Sequence, residues 1–490
     1  MKRGFGHALA AFMGSSILGS LTQVLKGKIS ALVLGPAGVG VVNQLTLCFS
    51  LFLTASSLGV PNGIARNIAV HQREEDEEAI RAQLSSSFIF LAAVSLGFSG
   101  LGMLLSPLIS DMLFDDGGGR ANLVVLVLLG VPVGVAGLVY RSLLNGTRSV
   151  KQLTFARMAA DVLSVAVFAA LVVPFGIPGA ALGLVSLHLL YLVLISWGAR
   201  VAIGALSRPR LAAFRWQAVR MNMGFGIHGL VIAVLTIFST LLVSRWIITD
   251  FGIAESGLFS VALKVTSVYL GGLYAAASGY YFASIARAQT PEELADQIDK
   301  AIALYMVIVP PIIVGLMAGG DLIVRILFSA EFLPVATILL VLLPGDVLRL
   351  VAETIGQAIL ARKHFVLSAG IMLAWTVCYM VLVKILMARY GLIGIALAYL
   401  VSHAGLMVAF LVAGRIVLGY LPRISSTLFA IRGFALVGVT AFAVYGVDYW
   451  PIKIAIGVVA LAGWAVVSSF DPQFAAHARK SIDIVLRRRK

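Results

Sequence analysis

Residues Lys28 to Gly40 read KISALVLGPAGVG, and residues Arg245 to Gly257 read RWIITDFGIAESG. Each is a basic residue, six further residues, then Gly-x-Ala-x-x-Gly. In both copies the glycine turn follows an apolar run long enough to cross a bilayer, so the two stretches mark the same corner of two like structures. Two more matches follow in the same order. Leu108-Ile109 with Leu113-Phe114 answers to Leu322-Ile323 with Leu327-Phe328. Phe175-Gly176-Ile177-Pro178-Gly179-Ala180-Ala181-Leu182 answers to Tyr390-Gly391-Leu392-Ile393-Gly394-Ile395-Ala396-Leu397. Each of these leads, six residues on, to a histidine, His188 and His403. One such match arises by chance. Three in order at nearly one offset mark an internal repeat.

Apolar runs of roughly 18 residues or more recur along the chain, about fourteen in all, and each is long enough for a hydrocarbon core. The first lies near 8–33 and the last near 452–470. Six runs per copy leave the copies parallel, related by an axis along the membrane normal. The predicted fold is an all-α polytopic membrane protein of about 14 transmembrane helices. It has two parallel six-helix repeats and two C-terminal helices outside them. The predicted parts are a first bundle (1–206), a cytoplasmic linker (207–220), a second bundle (221–418), an additional helix pair (419–470) and a basic cytoplasmic tail (471–490). The second and eighth runs carry Gly59-Val60-Pro61-Asn62-Gly63 and Gly271-Gly272, which predict bends.

Of the 490 residues, 60% are hydrophobic and 12% charged, too little charge to cover a soluble protein of this size. With the N-terminus inside, the inner loops and tails collect about 26 of the 37 basic residues, and the positive-inside rule then makes both termini cytoplasmic. They include Arg200, Arg208, Arg210, Arg215, Arg220 and the tail from Arg479 to Lys490. The net charge of +15 is thus a topology signal, and the tail suits anionic headgroups rather than nucleic acid. Cys48 and Cys378 fall inside apolar runs, which argues against a disulfide framework or a metal site. Outer loops of no more than about 15 residues leave no room for the acid and base groups of a membrane glycan polymerase. No Gly-rich loop ending in Lys-Ser/Thr is visible, which argues against ATP hydrolysis. The chain is therefore predicted to be a transporter with no catalytic residues and no cofactor.

Ionisable groups inside a bilayer cost ~2.5–3.5 kcal/mol or more unless paired or hydrated. The cations within runs are Lys26, Lys28, Arg66, Arg245, Lys264 and Arg349; the acids are Asp161, Asp346 and Glu353. A surplus of cations around water would draw an anionic substrate, and Arg and Lys are the usual partners of phosphate oxygens. Each also has a plainer reading. Lys28, Arg245 and Arg66 can snorkel to headgroups. Lys26 faces another side of its helix from Lys28, while Lys264 lies too deep to snorkel easily. Asp346, Arg349, Glu353 and Gln357 share one helix face. They form either a self-neutralised patch or a switch in which Arg349 exchanges the acids for substrate phosphate. Asp346, Glu353 and Asp161 are the candidates for coupling to a proton. His188, His228 and His403 are either titrating groups or ordinary interior hydrogen-bonders. The run Glu74 to Glu78 reads as a solvated helix start.

These residues also carry a resemblance. Lys28 to Gly40, with its Leu-Gly-Pro-Ala-Gly-Val-Gly turn, resembles the first outer loop of O-antigen and enterobacterial-antigen flippases. Those belong to the multidrug/oligosaccharidyl-lipid/polysaccharide exporter superfamily. Pro344-Gly345-Asp346-Val347-Leu348-Arg349 resembles their Gly-Asp-x-x-basic pattern, and Arg245 with Gly257 fits too. The likeness spans residues 1 to about 418. It implies a V-shaped pair of bundles around a cationic cavity in a bacterial inner membrane. The implied cargo is a lipid-linked oligosaccharide on a polyprenyl diphosphate, moved from the inner to the outer leaflet. The implied partners are the lipid bilayer and a glycan polymerase or glycosyltransferase complex. Lys28, Arg245 and Arg349 would meet the diphosphate or acidic sugars. The family often shows twelve spans. The peptidoglycan precursor flippases of the same superfamily have fourteen and stand as a neighbouring reading. A drug or cation antiporter would need an acid-dominated cavity, the opposite balance.

Overall fold

Glycine sets the corners of this fold. The structure, a computed structural model, describes the backbone of residues 2–469. It describes the side chains of 18–466 apart from 224, 225, 228, 269–283, 286 and 425. Among these, nine helices are long and apolar enough to cross a membrane. Helix dominates because a backbone in hydrocarbon must satisfy its own polar groups. Gly271 and Gly272 fall within one helix, Ile253–Arg287; the side chain of His228 and the basic tail lie outside the described residues.

The first helix, α1 (Lys2–Ser57), is two rods joined at Gly35, whose φ of 63° and ψ of −174° suit only glycine. Its repeat partner Gly252, with φ 109° and ψ 168°, separates α8 (Trp216–Phe251) from α9 (Ile253–Arg287). A second pair of corners lies at Gly176 (φ 57°, ψ −129°) in α7 (Val150–Ile203) and Gly391 (φ 61°, ψ −141°) in α13 (Phe365–Leu418). All four corners fall on glycines of the sequence repeat. The repeat extends to turns that pattern reading did not use. Arg148 and Lys363 both take positive φ, 56° and 66°. Behind them, Ser149 N–H donates to Leu144 O at 2.8 Å and His364 N–H to Ile359 O at 3.2 Å. The bend expected after residue 58 is present: Leu58 and Gly59 take φ of 48° and 69°, and α2 (Val60–Arg73) starts on Val60-Pro61.

The remaining elements follow in chain order. They are α3 (Glu77–Leu104), the short α4 (Ser106–Phe114), α5 (Ala121–Leu129) and α6 (Val131–Gly146). After α9 come α10 (Pro291–Ala318), the short α11 (Gly320–Leu327), α12 (Pro334–Ala361), α14 (Ile424–Val444) and α15 (Trp450–Ser469). The short α4 and α11 carry the matched Leu-Ile…Leu-Phe loops.

Contacts divide the chain into two compact units, Met1–Ser260 and Val261–Lys490. This division differs from the one read off the repeat, because α8 and the first turns of α9 sit with the first unit. The reason is a reciprocal backbone contact. A Cβ on Gly40 would collide with the carbonyl oxygen of Ile253, and one on Gly257 with that of Pro36. Pro36 and Ile253 are themselves repeat partners, so the contact has local two-fold symmetry. The core of the first unit is Leu45, Phe49, Ile64, Leu84, Leu128 and Leu143 with their neighbours.

In the second unit α12 is the most enclosed of the apolar spans among the described residues. The additional helix pair is fixed to α10 at one end and to α11 at the other. On one side Tyr420 donates its hydroxyl to the buried Asp299 of α10 at 2.8 Å, and Arg423 reaches Asp296 at 3.0 Å. On the other, Lys453 Nζ lies 2.7 Å from Asp321 Oδ2. Between them Gly433 and Gly457 let the pair approach Pro310 and Ala318 closely.

Candidate functional site

Each unit carries, among the described residues, a polar cluster that includes candidates from the sequence. The richer one lies between α12 and α13. Asp346, Arg349 and Glu353 project from one face of α12, as their spacing predicts. Arg349 Nε donates to Glu353 Oε1 at 2.6 Å. Asp346, fully buried, accepts from the Tyr399 hydroxyl at 2.7 Å. Arg349 Nη1 also reaches that hydroxyl, at 3.4 Å. Arg349 therefore bridges the two acids, one directly and one through a tyrosine. Gly345 makes room for this arrangement, since a Cβ there would stand 2.7 Å from the Tyr399 ring. Arg349 and Glu353 keep 34% and 28% of their side chains exposed, so the pair is open to a ligand while Asp346 is not.

Aromatic rings back the cluster. His403 lies 4.1 Å from Tyr399 and 4.9 Å from Trp375, and Trp375 stacks on Tyr379 at 5.8 Å. His403 Nδ1 is 2.8 Å from Tyr399 O, which makes Nδ1 the protonated nitrogen because a carbonyl only accepts. His188 repeats this bond, Nδ1 to Leu184 O at 3.0 Å. Trp375 Nε1 is buried without a hydrogen-bond partner.

In the first unit Lys26 Nζ donates to Ser164 Oγ at 2.9 Å. Ser164 in turn donates to Asp161 O at 2.7 Å. Arg157 Nε lies 3.9 Å from Asp161 Oδ2, and that oxygen is buried with no hydrogen-bond partner. Lys26 and Asp161, predicted separately, thus belong to one group.

The other candidates are placed apart in kind. Lys28 is half-buried two residues beyond Lys26, and Arg66 and Lys264 are exposed. Arg245 is engaged at the Gly252 end of α8, where its guanidinium donates to Asp111 O and to Asp115 Oδ1, the latter at 2.7 Å. Sequence reasoning missed Tyr399, Ser164 and Trp375. The first two had a signal, standing one turn from His403 and Asp161. Trp375 had none.

The comparisons with known proteins fit this architecture. Residues 29–337 match the family described as "Polysaccharide biosynthesis protein". The chain belongs to this family. The lipid III flippases of Escherichia coli (strain K12) and Shigella flexneri are each 22% identical over 391 residues, covering 78% of this chain and 91% of theirs. In fold, the family member resembles the lipid II flippase MurJ in an inward closed conformation, at a TM-score of 0.71 and 16% identity. That match covers 94% of this chain and 97% of MurJ. It also resembles a multidrug resistance MATE family transporter of the MOP superfamily in an inward-facing conformation. There the TM-score is 0.70 and the identity 16%, over 84% of this chain and 98% of that one. The fold is that of a multi-pass membrane transporter.

Proposed function

We propose that this protein is a flippase. Its cargo is a polyprenyl-diphosphate-linked oligosaccharide, an O-antigen or exopolysaccharide repeat unit, carried from the inner to the outer leaflet by alternating access. The observation that carries this reading is Arg349, a half-open guanidinium held between two acids inside a transporter fold of a polysaccharide biosynthesis family. A guanidinium so placed can exchange Glu353 for a diphosphate oxygen at little cost in charge, because one anion replaces another. Release of Glu353, or of Asp346 from Tyr399, offers a carboxylate to a proton and a route to coupling. Lys26 with Asp161 is the corresponding pair in the first unit. Lys28, Arg66, Lys264 and, once freed from Asp115, Arg245 add positive potential along the path.

On this reading both termini are cytoplasmic, the Gly35 and Gly252 corners face outward, and fourteen helical rods cross the bacterial inner membrane. The 207–220 linker joins two functional halves, 1–206 and 221–418. A glycan polymerase or glycosyltransferase complex is the partner that would use or supply the cargo. A lipid-linked peptidoglycan precursor is the second reading. It is favoured by the breadth of the likeness to the lipid II flippase, 94% of this chain against 84% for the multidrug transporter.

Deletion in the source bacterium separates these readings. The expected result is loss of surface glycan and accumulation of its lipid-linked precursor on the cytoplasmic side, with normal cell-wall synthesis. Normal surface glycan without the protein would refute the proposal. Arrested cell-wall synthesis would move it to the second reading.

A further inference from the structure

The connection between the repeats is stitched to α3 by three consecutive serines. Ser85 Oγ accepts from Arg210 N–H at 3.0 Å, Ser86 Oγ from Arg215 N–H at 2.7 Å, and Ser87 Oγ from Asn222 Nδ2 at 3.0 Å. All three serines are fully buried. The Asn222 amide, also fully buried, accepts at Oδ1 from Asn67 Nδ2 of α2 at 2.8 Å and from Gln83 Nε2 of α3 at 3.2 Å. Backbones approach closely around it. A Cβ on Gly63 would stand 2.6 Å from Asn222 Cα, and one on Gly59 2.6 Å from Gly226 C. Every one of these residues lies within the first unit.

Nothing in helix formation requires this network. A helix end of this kind could pack on apolar side chains, as Leu45, Leu84, Leu128 and Leu143 do in the core of the unit. Amides and hydroxyls have a different property: water can replace their partners, so each bond contributes only modestly in net terms and separation is reversible. A cavity of about 330 Å³ already reaches the network, lined by Gln83, Met221, Arg215 and His71 among others. Gln83 Oε1, on its wall, is buried and lacks a partner. Water would enter there first. At the opposite end of α8 the contact is of another kind, the reciprocal Gly40 and Gly257 backbones with Arg245 on Asp115. One helix is thus held to the first unit by two chemically distinct fastenings.

We propose that Asn222, with Asn67, Gln83 and Ser87, is the latch of the linker-end gate. Its parting lets the start of α8 leave α2 and α3 and admits the cargo's headgroup from the cytoplasmic leaflet. The bonds from Arg210 and Arg215 to Ser85 and Ser86 keep the linker attached as the helix swings. The inference rests on the flippase reading, and the first half of its test does not.

Both halves use the full-length protein with Cys48→Ala and Cys378→Ala. A reporter Val219→Cys, fully buried one turn before Asn222, is labelled with a membrane-impermeant maleimide from the linker side. Adding Asn222→Ala should raise its labelling rate about tenfold. A second reporter, Thr249→Cys, exposed at the far end of α8 and labelled from the other side, should not speed up. An unchanged Val219→Cys rate, or equal rises at both reporters, would overturn the latch. In the second half, Asn67→Cys/Asn222→Cys is bridged by a short bis-thiosulfonate in proteoliposomes holding a polyprenyl-diphosphate oligosaccharide. Bridging should stop flipping and reduction restore it. Flipping at the unbridged rate would overturn the latch as well. If the Cys48→Ala/Cys378→Ala parent, with Asn67 and Asn222 intact, moves no glycan, the flippase reading fails while the labelling result still decides the latch.

Discussion

Gly257→Val is expected to remove nearly all folded protein from the membrane. A side chain there drives directly into the carbonyl of Pro36, which is backbone and cannot rotate away. The two helices must separate, and the reciprocal contact at Gly40 is lost with the same movement. Overpacking of a tight interior costs about 1–3 kcal/mol when side chains can yield, and more when only backbone is available. Marginal stability of about 5–15 kcal/mol leaves little room for that. Size-exclusion of the detergent-solubilised variant should show aggregate in place of the wild-type peak. Gly438→Val is the control, because nothing lies within 4 Å of a Cβ there. Monodisperse Gly257→Val with wild-type thermal stability would show that the corner contact does not hold α8 and α9 to the first unit.

Arg349→Ala should leave expression near normal and cut glycan export by roughly 100-fold, equivalent to ~2.7 kcal/mol. The stability loss is modest because the ion pair is about one-third exposed and water can solvate Glu353. Arg349→Lys should recover only part of the export, since an ammonium lacks the planar fork that meets two oxygens at once. A double variant, Arg349→Met/Glu353→Met, separates a structural patch from a working one. If Arg349 serves only to neutralise Glu353, the double variant exports normally. If Arg349 meets the cargo, the double variant is as defective as Arg349→Ala. Normal surface glycan in both would remove Arg349 from the path.

The corners were legible because glycine is the one residue that adopts their backbone, so Gly35, Gly176, Gly252 and Gly391 left a trace in the sequence. The α12 patch was legible because one helix carries it at a spacing of three and four. Tyr399 and Ser164 were harder. Each acts across a helix–helix contact, and spacing within one helix says nothing about which neighbour it meets. The stitching of Ser85, Ser86 and Ser87 to the linker was hidden for the same reason. Polar residues in a row on a helix give no periodic signal, and their partners lie more than a hundred residues away in the chain. The engagement of Arg245 by Asp115 likewise depends on where α4 leads the chain, which local pattern cannot fix.

The central claim is that this chain alone moves a lipid-linked glycan between leaflets. The direct measurement uses the purified protein in proteoliposomes loaded with a fluorescent polyprenyl-diphosphate oligosaccharide, with an impermeant quencher outside. The expected result is quenching of nearly the whole pool in wild-type vesicles. Protein-free vesicles and those holding Arg349→Ala should stop near the half that starts in the outer leaflet. Wild-type vesicles that also stop near half, across the glycans tested and with or without a proton gradient, would contradict the account.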